Sequence, residues 1–209
     1  MWPDMTNDTD RAHGHALPTA GSNEPQRPVG AVRNAAERSQ QRVGTDGGHT
    51  GGSANDTPEL TTYTDAELGY SVEFPADWSA DADPDGGMTV EVPDSTAAGA
   101  VVFVDEHVAN DPSAYADRFR ETLAADEHVH ALERLDRRTL WLPGGHRGWI
   151  VEYAYVGDAP DDRWRLLYLF VVARTTGYTV GVDWAADAEF ETVARTVVES
   201  FRLTTNSAE

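Results

Sequence analysis

Eight consecutive uncharged residues, Leu166 to Ala173, constrain this chain more than any other feature. They read Leu-Leu-Tyr-Leu-Phe-Val-Val-Ala and follow Trp164 and Arg165. In an extended chain Leu167, Leu169 and Val171 point to one side, and Leu166, Tyr168, Phe170 and Val172 to the other. The run is too short to cross a bilayer, which takes about 20 residues as a helix. Its β-branched and aromatic content, set between Asp161-Asp162 and Thr175-Thr176-Gly177, favours a strand over a buried helix. A strand apolar on both sides lies in the middle of a sheet that is covered on both faces.

The rest of the chain supplies that cover. Tyr70, Val72 and Phe74 alternate with polar residues until Pro75, which ends a half-buried strand; Thr61 to Tyr63 reads as a short strand before it. Met88, Val90 and Val92 alternate likewise, and Ala100 to Val104 is apolar on both sides. Asp111-Pro112 opens a helix with an N-cap and a proline at its first position. Tyr115, Phe119 and Leu123 give that helix one buried stripe, ending near Ala125. A meander follows: 132 to 142, a Pro143-Gly144-Gly145 turn, 146 to 156, the opening stretch, then Tyr178 to Trp184. Phe190, Val193, Ala194, Val197, Val198 and Phe201 form the apolar face of a closing helix over 186–203. Short links and only two long helices predict an α+β fold: a mainly antiparallel sheet of about six to seven strands with a helix on each face.

Residues 1–57 are rich in Gly, Pro, Ser, Thr, Asn, Asp and Gln and show no sustained period. They predict a disordered tail and linker, with at most a marginal helix over 32–43. The ordered domain is placed at 58–204 and a short C-terminal tail at 205–209.

Charge narrows the function. The formal net charge is −20, and all 16 basic residues are arginine. Such a surface repels phosphate backbones, and no basic run is visible, so nucleic acid is not an expected partner. Self-repulsion also destabilises a compact chain unless salt screens it. The acidity and the missing lysine are therefore read as adaptation to a salt-rich interior, as in a halophile. Without cysteine there is no disulfide framework, thiolate metal site, thiol nucleophile or lipid-anchor cysteine. Residues 1–20 hold no secretory signal and the chain no spanning segment, so a cytoplasmic protein is expected. An upstream start carrying an export signal would change that.

The element order, together with Gly69-Tyr70-Ser71-Val72-Glu73-Phe74-Pro75-Ala76-Asp77-Trp78, resembles the PsbP-like superfamily, over 59–203. The resemblance implies an α/β/α sandwich around an antiparallel sheet, in a family without enzymatic activity. Plant members are extrinsic photosystem subunits, and a related eukaryotic fold binds a small nuclear GTPase. No residue here matches a photosystem-binding motif, so the fold carries over and the photosynthetic role does not.

Several clusters bear on chemistry. Asp81, Asp83 and Asp85, followed by Gly86, match the first half of an EF-hand calcium loop. The second half fails: the twelfth position is Val92, and the loop leads into a strand. No cofactor is otherwise expected. His128 and His130 share a strand face but lack a recognisable third zinc ligand, and His13 and His15 sit in the tail. No serine stands in a Gly-x-Ser-x-Gly elbow. Glu152 lies on a strand, with Arg163 or Arg165 of the next strand as its expected partner. Aromatic residues crowd the meander, and one helix cannot cover that whole face. Trp149, Tyr153 and Tyr155 are therefore the candidate partner- or ligand-binding residues. The expected function is a non-enzymatic interaction or scaffold domain; the alternative is a small-ligand or calcium-binding module using the Asp81–Asp85 loop or the aromatic face.

Overall fold

The computed structural model describes residues 58–204 apart from 84, 85, 94, 96, 97, 107 and 109. The expected tail over 1–57, the C-terminal tail over 205–209 and the calcium candidate Asp85 lie outside the described residues. Among the described residues ten strands and two α-helices follow in order: β1 (Leu60–Asp65), β2 (Tyr70–Pro75), β3 (Ser79–Ala82), β4 (Gly87–Glu91), β5 (Ala98–Asp105), α1 (Pro112–Ala124), β6 (His130–Trp141), β7 (Arg147–Val156), β8 (Arg163–Ala173), β9 (Thr176–Ala185), α2 (Glu191–Ser200) and β10 (Arg202–Leu203).

The uncharged run forms most of β8, flanked by β9 and β7 in a seven-stranded antiparallel sheet ordered β3-β4-β5-β9-β8-β7-β6. Leu169, Phe170 and Val171 have no exposed surface at all. The two sides of β8 enter two separate cores. Leu167, Leu169 and Val171 join Ile150, Val180 and Val182 beneath α2, where Ala194, Val197 and Val198 face them. Leu166, Tyr168, Phe170 and Val172 join Tyr115, Phe119 and Leu123 of α1. Asp111 caps α1 by accepting from the Ser113 amide at 2.9 Å, with Pro112 following it. A cap of this kind contributes about 1 kcal/mol.

The first strands form a layer of their own: β1, β2 and β10 make a three-stranded sheet. Tyr70, Val72 and Phe74 pack on the α2-side core, so β2 is a cover for the large sheet and not a rung of it. The closing helix is also shorter than its apolar periodicity predicts. Phe190 precedes it and stacks on Trp78 (5.6 Å, 10° between planes), and at Phe201 the backbone turns extended to pair β10 with β2. Gly69 makes the β1–β2 turn at φ +75°, a left-handed conformation that favours glycine. The result is a sandwich: α1 on one face, and α2 with the small sheet on the other.

Candidate functional site

Where α1 faces β6, a polar groove of about 520 Å³ opens, lined by Asp117, Arg120, Glu121, Leu132, Arg134, Arg137 and Tyr153. Local chain geometry sets it up. Phe119 and Leu123 turn into the core, which leaves Asp117, Arg120 and Glu121 on the flank of α1. β6 is the last strand of its sheet and pairs only with β7, so its side chains on this face have no further strand beside them. Register shifts between His130 and Glu133 and between Arg134 and Asp136 still leave Leu132, Arg134 and Arg137 lining the same groove.

The groove holds three guanidinium groups against two carboxylates. Arg137 is anchored: it donates to the Ser113 hydroxyl, lies 3.5 Å from Asp117, and sits over the Trp149 ring at 4.4 Å. Stacking of this kind holds the guanidinium plane in place. Its Nε is buried without a hydrogen-bond partner, as is the Trp149 indole N–H. Arg120 and Arg134 have no carboxylate within ion-pair distance among the described residues.

The three aromatic candidates are placed differently. Trp149 is half-buried, with Arg137 on its ring and Arg147 further off at 5.7 Å. Tyr153 lines the groove while being 1% exposed, so it contributes floor more than rim. Burial raises its phenol to about 12, against the pull of the Arg134 and Arg120 charges. Tyr155 is 5% exposed and stacks on Trp164 at 6.5 Å, so it contributes its area to the core. Burial, and then the Asp183 carboxylate, push its phenol far up.

The remaining clusters lie away from the groove. Asp81 lies in β3 and Asp83 at the start of the hairpin to β4. Among the described residues no group of three or more His, Asp or Glu side chains is arranged to hold a metal ion. His128 lies 3.0 Å and His130 3.8 Å from Asp158, a solvent-facing polar cluster that sequence spacing could not assemble. A buried chain of hydrogen bonds runs from Thr179 to the Tyr115 hydroxyl, which donates to Asp105. Among the described residues no helix is long and apolar enough to cross a membrane.

Reasoning from sequence missed the arginine groove. Arg118-x-Arg120 and Arg134-x-x-Arg137-Arg138 are short clusters separated by a turn, and neither is a basic run. Only the packing of α1 beside β6 brings Arg120, Arg134 and Arg137 together. The signal that was available is density: cations bunched in two neighbouring elements of a strongly acidic chain.

Neither a family model nor a curated protein sequence matches the chain. Solved structures do. The solution structure of cyanobacterial PsbP from Synechocystis superposes with a TM-score of 0.55 at 18% identity, over 78% of this chain and 99% of that one. LpqN of Mycobacterium tuberculosis, described as involved in cell envelope biogenesis, gives 0.45 at 16% identity, over 72% and 87%. A Bacteroides thetaiotaomicron protein gives 0.45 at 10%, over 69% and 48%. The fold is PsbP-like. At these identities the likeness is one of fold.

Proposed function

We propose that this PsbP-like domain is a non-enzymatic interaction or scaffold module that presents the α1-side surface of β6 and β7 to a partner. The observation carrying this reading is the groove itself: open, polar, floored by Tyr153, and flanked by Trp149 stacked under Arg137. Rigid aromatic residues with arginines beside them are the composition that protein interfaces favour at their energetic centres. Two filled cores on either side of the sheet make the frame that holds this surface still. A domain of this kind acts by holding one molecule against another, which requires shape and charge and no nucleophile.

The test is affinity capture from a lysate of the source cell at its native salt. Wild type is compared with a Thr139→Arg, Trp141→Arg variant on the α1 face of β6, and with Thr192→Arg on exposed α2 as control. A protein retained by wild type and by the control, and lost with the β6 variant, is the expected result. Identical captured sets from all three would overturn the reading.

A further inference from the structure

We infer that the groove between α1 and β6 binds an acidic segment of a protein partner, whose carboxylates engage Arg120 and Arg134. The inference rests on the interaction reading above and names the chemistry of its partner.

Charge complementarity is the first argument. In a chain of formal charge −20 an acidic ligand is repelled by most of the surface. The groove is a local exception, with Arg120, Arg134 and Arg137 against Asp117 and Glu121. Arg137 already has a carboxylate at 3.5 Å, whereas Arg120 and Arg134 have none within ion-pair distance among the described residues. Two exposed guanidiniums beside one another repel, and each is a planar fork that matches a carboxylate through two parallel hydrogen bonds. Arg137 cannot swing away to relieve the crowding, because Trp149 and Ser113 hold it.

Shape decides between a segment and a small anion. One carboxylate or phosphate leaves most of a trough of about 520 Å³ empty, and small-molecule sites enclose most of their ligand. This groove runs along the edge strand β6, which itself carries large exposed apolar side chains: Leu135 at 42% and Trp141 at 68%. Trp141 pairs with Arg147 in the ladder and alternates with Thr139 and Arg137, so it shares their face. From Arg134 to Trp141 is about 23 Å at strand rise. A protein segment with acidic residues at one end and an apolar residue about 23 Å from the first of them matches that stripe. A free anion uses only its first part.

The test uses the full chain and a fluorescein-labelled probe peptide of alternating glutamates followed by Gly-Gly-Leu-Phe. Anisotropy is read in the lowest salt that leaves the far-ultraviolet spectrum unchanged. The expected result is saturable binding that weakens at least tenfold in R120E/R134E and at least threefold in Trp141→Ala. It should not change in R163E/R174E, which reverses two exposed arginines elsewhere. All four substituted arginines are exposed, so the folded spectrum should persist, and it is recorded for every variant. No saturable binding, equal binding of a lysine-containing peptide of the same length, or equal loss in R163E/R174E overturns the inference. Displacement of the probe by glutarate or inorganic phosphate at concentrations no higher than the peptide's own dissociation constant overturns it in favour of a small-anion site. A cellular partner still captured in full by R120E/R134E, but lost with the β6 variant, overturns the inference and leaves the interaction reading standing.

Discussion

Arg165 reaches diagonally across the β7–β8 ladder to the carboxylate of Glu152, with its Nε at 3.0 Å and a terminal nitrogen closer still. Leu167, not Arg165, is the residue directly opposite Glu152. The other oxygen of the same carboxylate lies 3.6 Å from Arg195 on α2. Glu152 is 5% exposed, so one buried charge ties two strands and a helix together.

That arrangement predicts a large asymmetry between single and double substitutions. Arg165→Met leaves the buried carboxylate with only the longer Arg195 contact and should destabilise the fold by about 3 kcal/mol. Adding Glu152→Leu removes the charge that was stranded, and most of the loss should return. Urea unfolding of both singles and the double gives the coupling directly. Additive effects would mean that the pair is not the tie described here.

Close packing at β9 gives a second prediction. A Cβ added at Gly181 would stand 2.1 Å from the Tyr168 ring, so glycine is there to let the ring lie flat on the sheet. Gly181→Ala should cost about 1–3 kcal/mol by overpacking. In a Tyr168→Leu background the same substitution should cost less, because the obstructing ring is gone. An equal cost in both backgrounds, measured by chemical unfolding, would place the strain elsewhere.

How much of this was legible beforehand follows from the range of the forces involved. The burial of Leu166 to Val172 on both sides is a property of seven adjacent residues, and period-two alternation reads it directly. The N-cap at Asp111 and the face shared by Trp149, Val151 and Tyr153 are equally local. The separate small sheet was not legible, because pairing of Arg202 with Ser71 joins residues far apart in the chain and leaves no periodic trace. The Glu152–Arg165 pair was half legible: adjacency of the strands named the candidates, and only the register chose between Arg163 and Arg165. The arginine groove was the least legible part, since helix packing beside an edge strand has no sequence period of its own.

Asp105 predicts an acid-side dependence. Burial raises its pKa, and this outweighs the opposing hydrogen bond from Tyr115 and the charge of Arg118. A carboxyl whose folded pKa exceeds its unfolded value favours the fold fully below the unfolded value. That contribution is then lost as pH rises through the folded one. Asp105→Asn keeps an oxygen to accept from Tyr115 and removes the titration. The difference in unfolding free energy between variant and wild type should therefore shift in favour of the variant as pH rises from about 3.8. A difference that stays constant with pH would remove Asp105 as its source.

Alkaline pH should act in the same direction through the tyrosines. Burial raises the phenols of Tyr70, Tyr115, Tyr153, Tyr155 and Tyr178, with Tyr153 at about 12. Their contribution is complete below the unfolded value of about 10 and is lost as pH climbs through the folded values. Unfolding should therefore steepen above pH of about 10 and release protons as it does so. Tyrosinate absorbance followed beside far-ultraviolet dichroism should show part of the ionisation coinciding with unfolding. Complete ionisation ahead of any loss of structure would contradict the burial described for these rings.

Salt dependence follows from the charge alone. At −20 the chain opposes its own compaction, and the screening length falls from about 10 Å at 0.1 M salt to about 3 Å at 1 M. Melting temperature should therefore rise steeply with KCl. A variant with Glu59, Glu67, Glu73, Asp77 and Glu91 changed to their amides should melt higher in dilute buffer and respond less to salt, since all five carboxylates are exposed. Sucrose, which strengthens burial without screening, separates the two physical causes. If sucrose reproduces the KCl response and the amide variant keeps the wild-type slope, the stabilisation is exclusion of solute from the surface and not relief of repulsion. A wild-type melting temperature equal in dilute buffer and molar KCl would remove the adaptation to salt altogether.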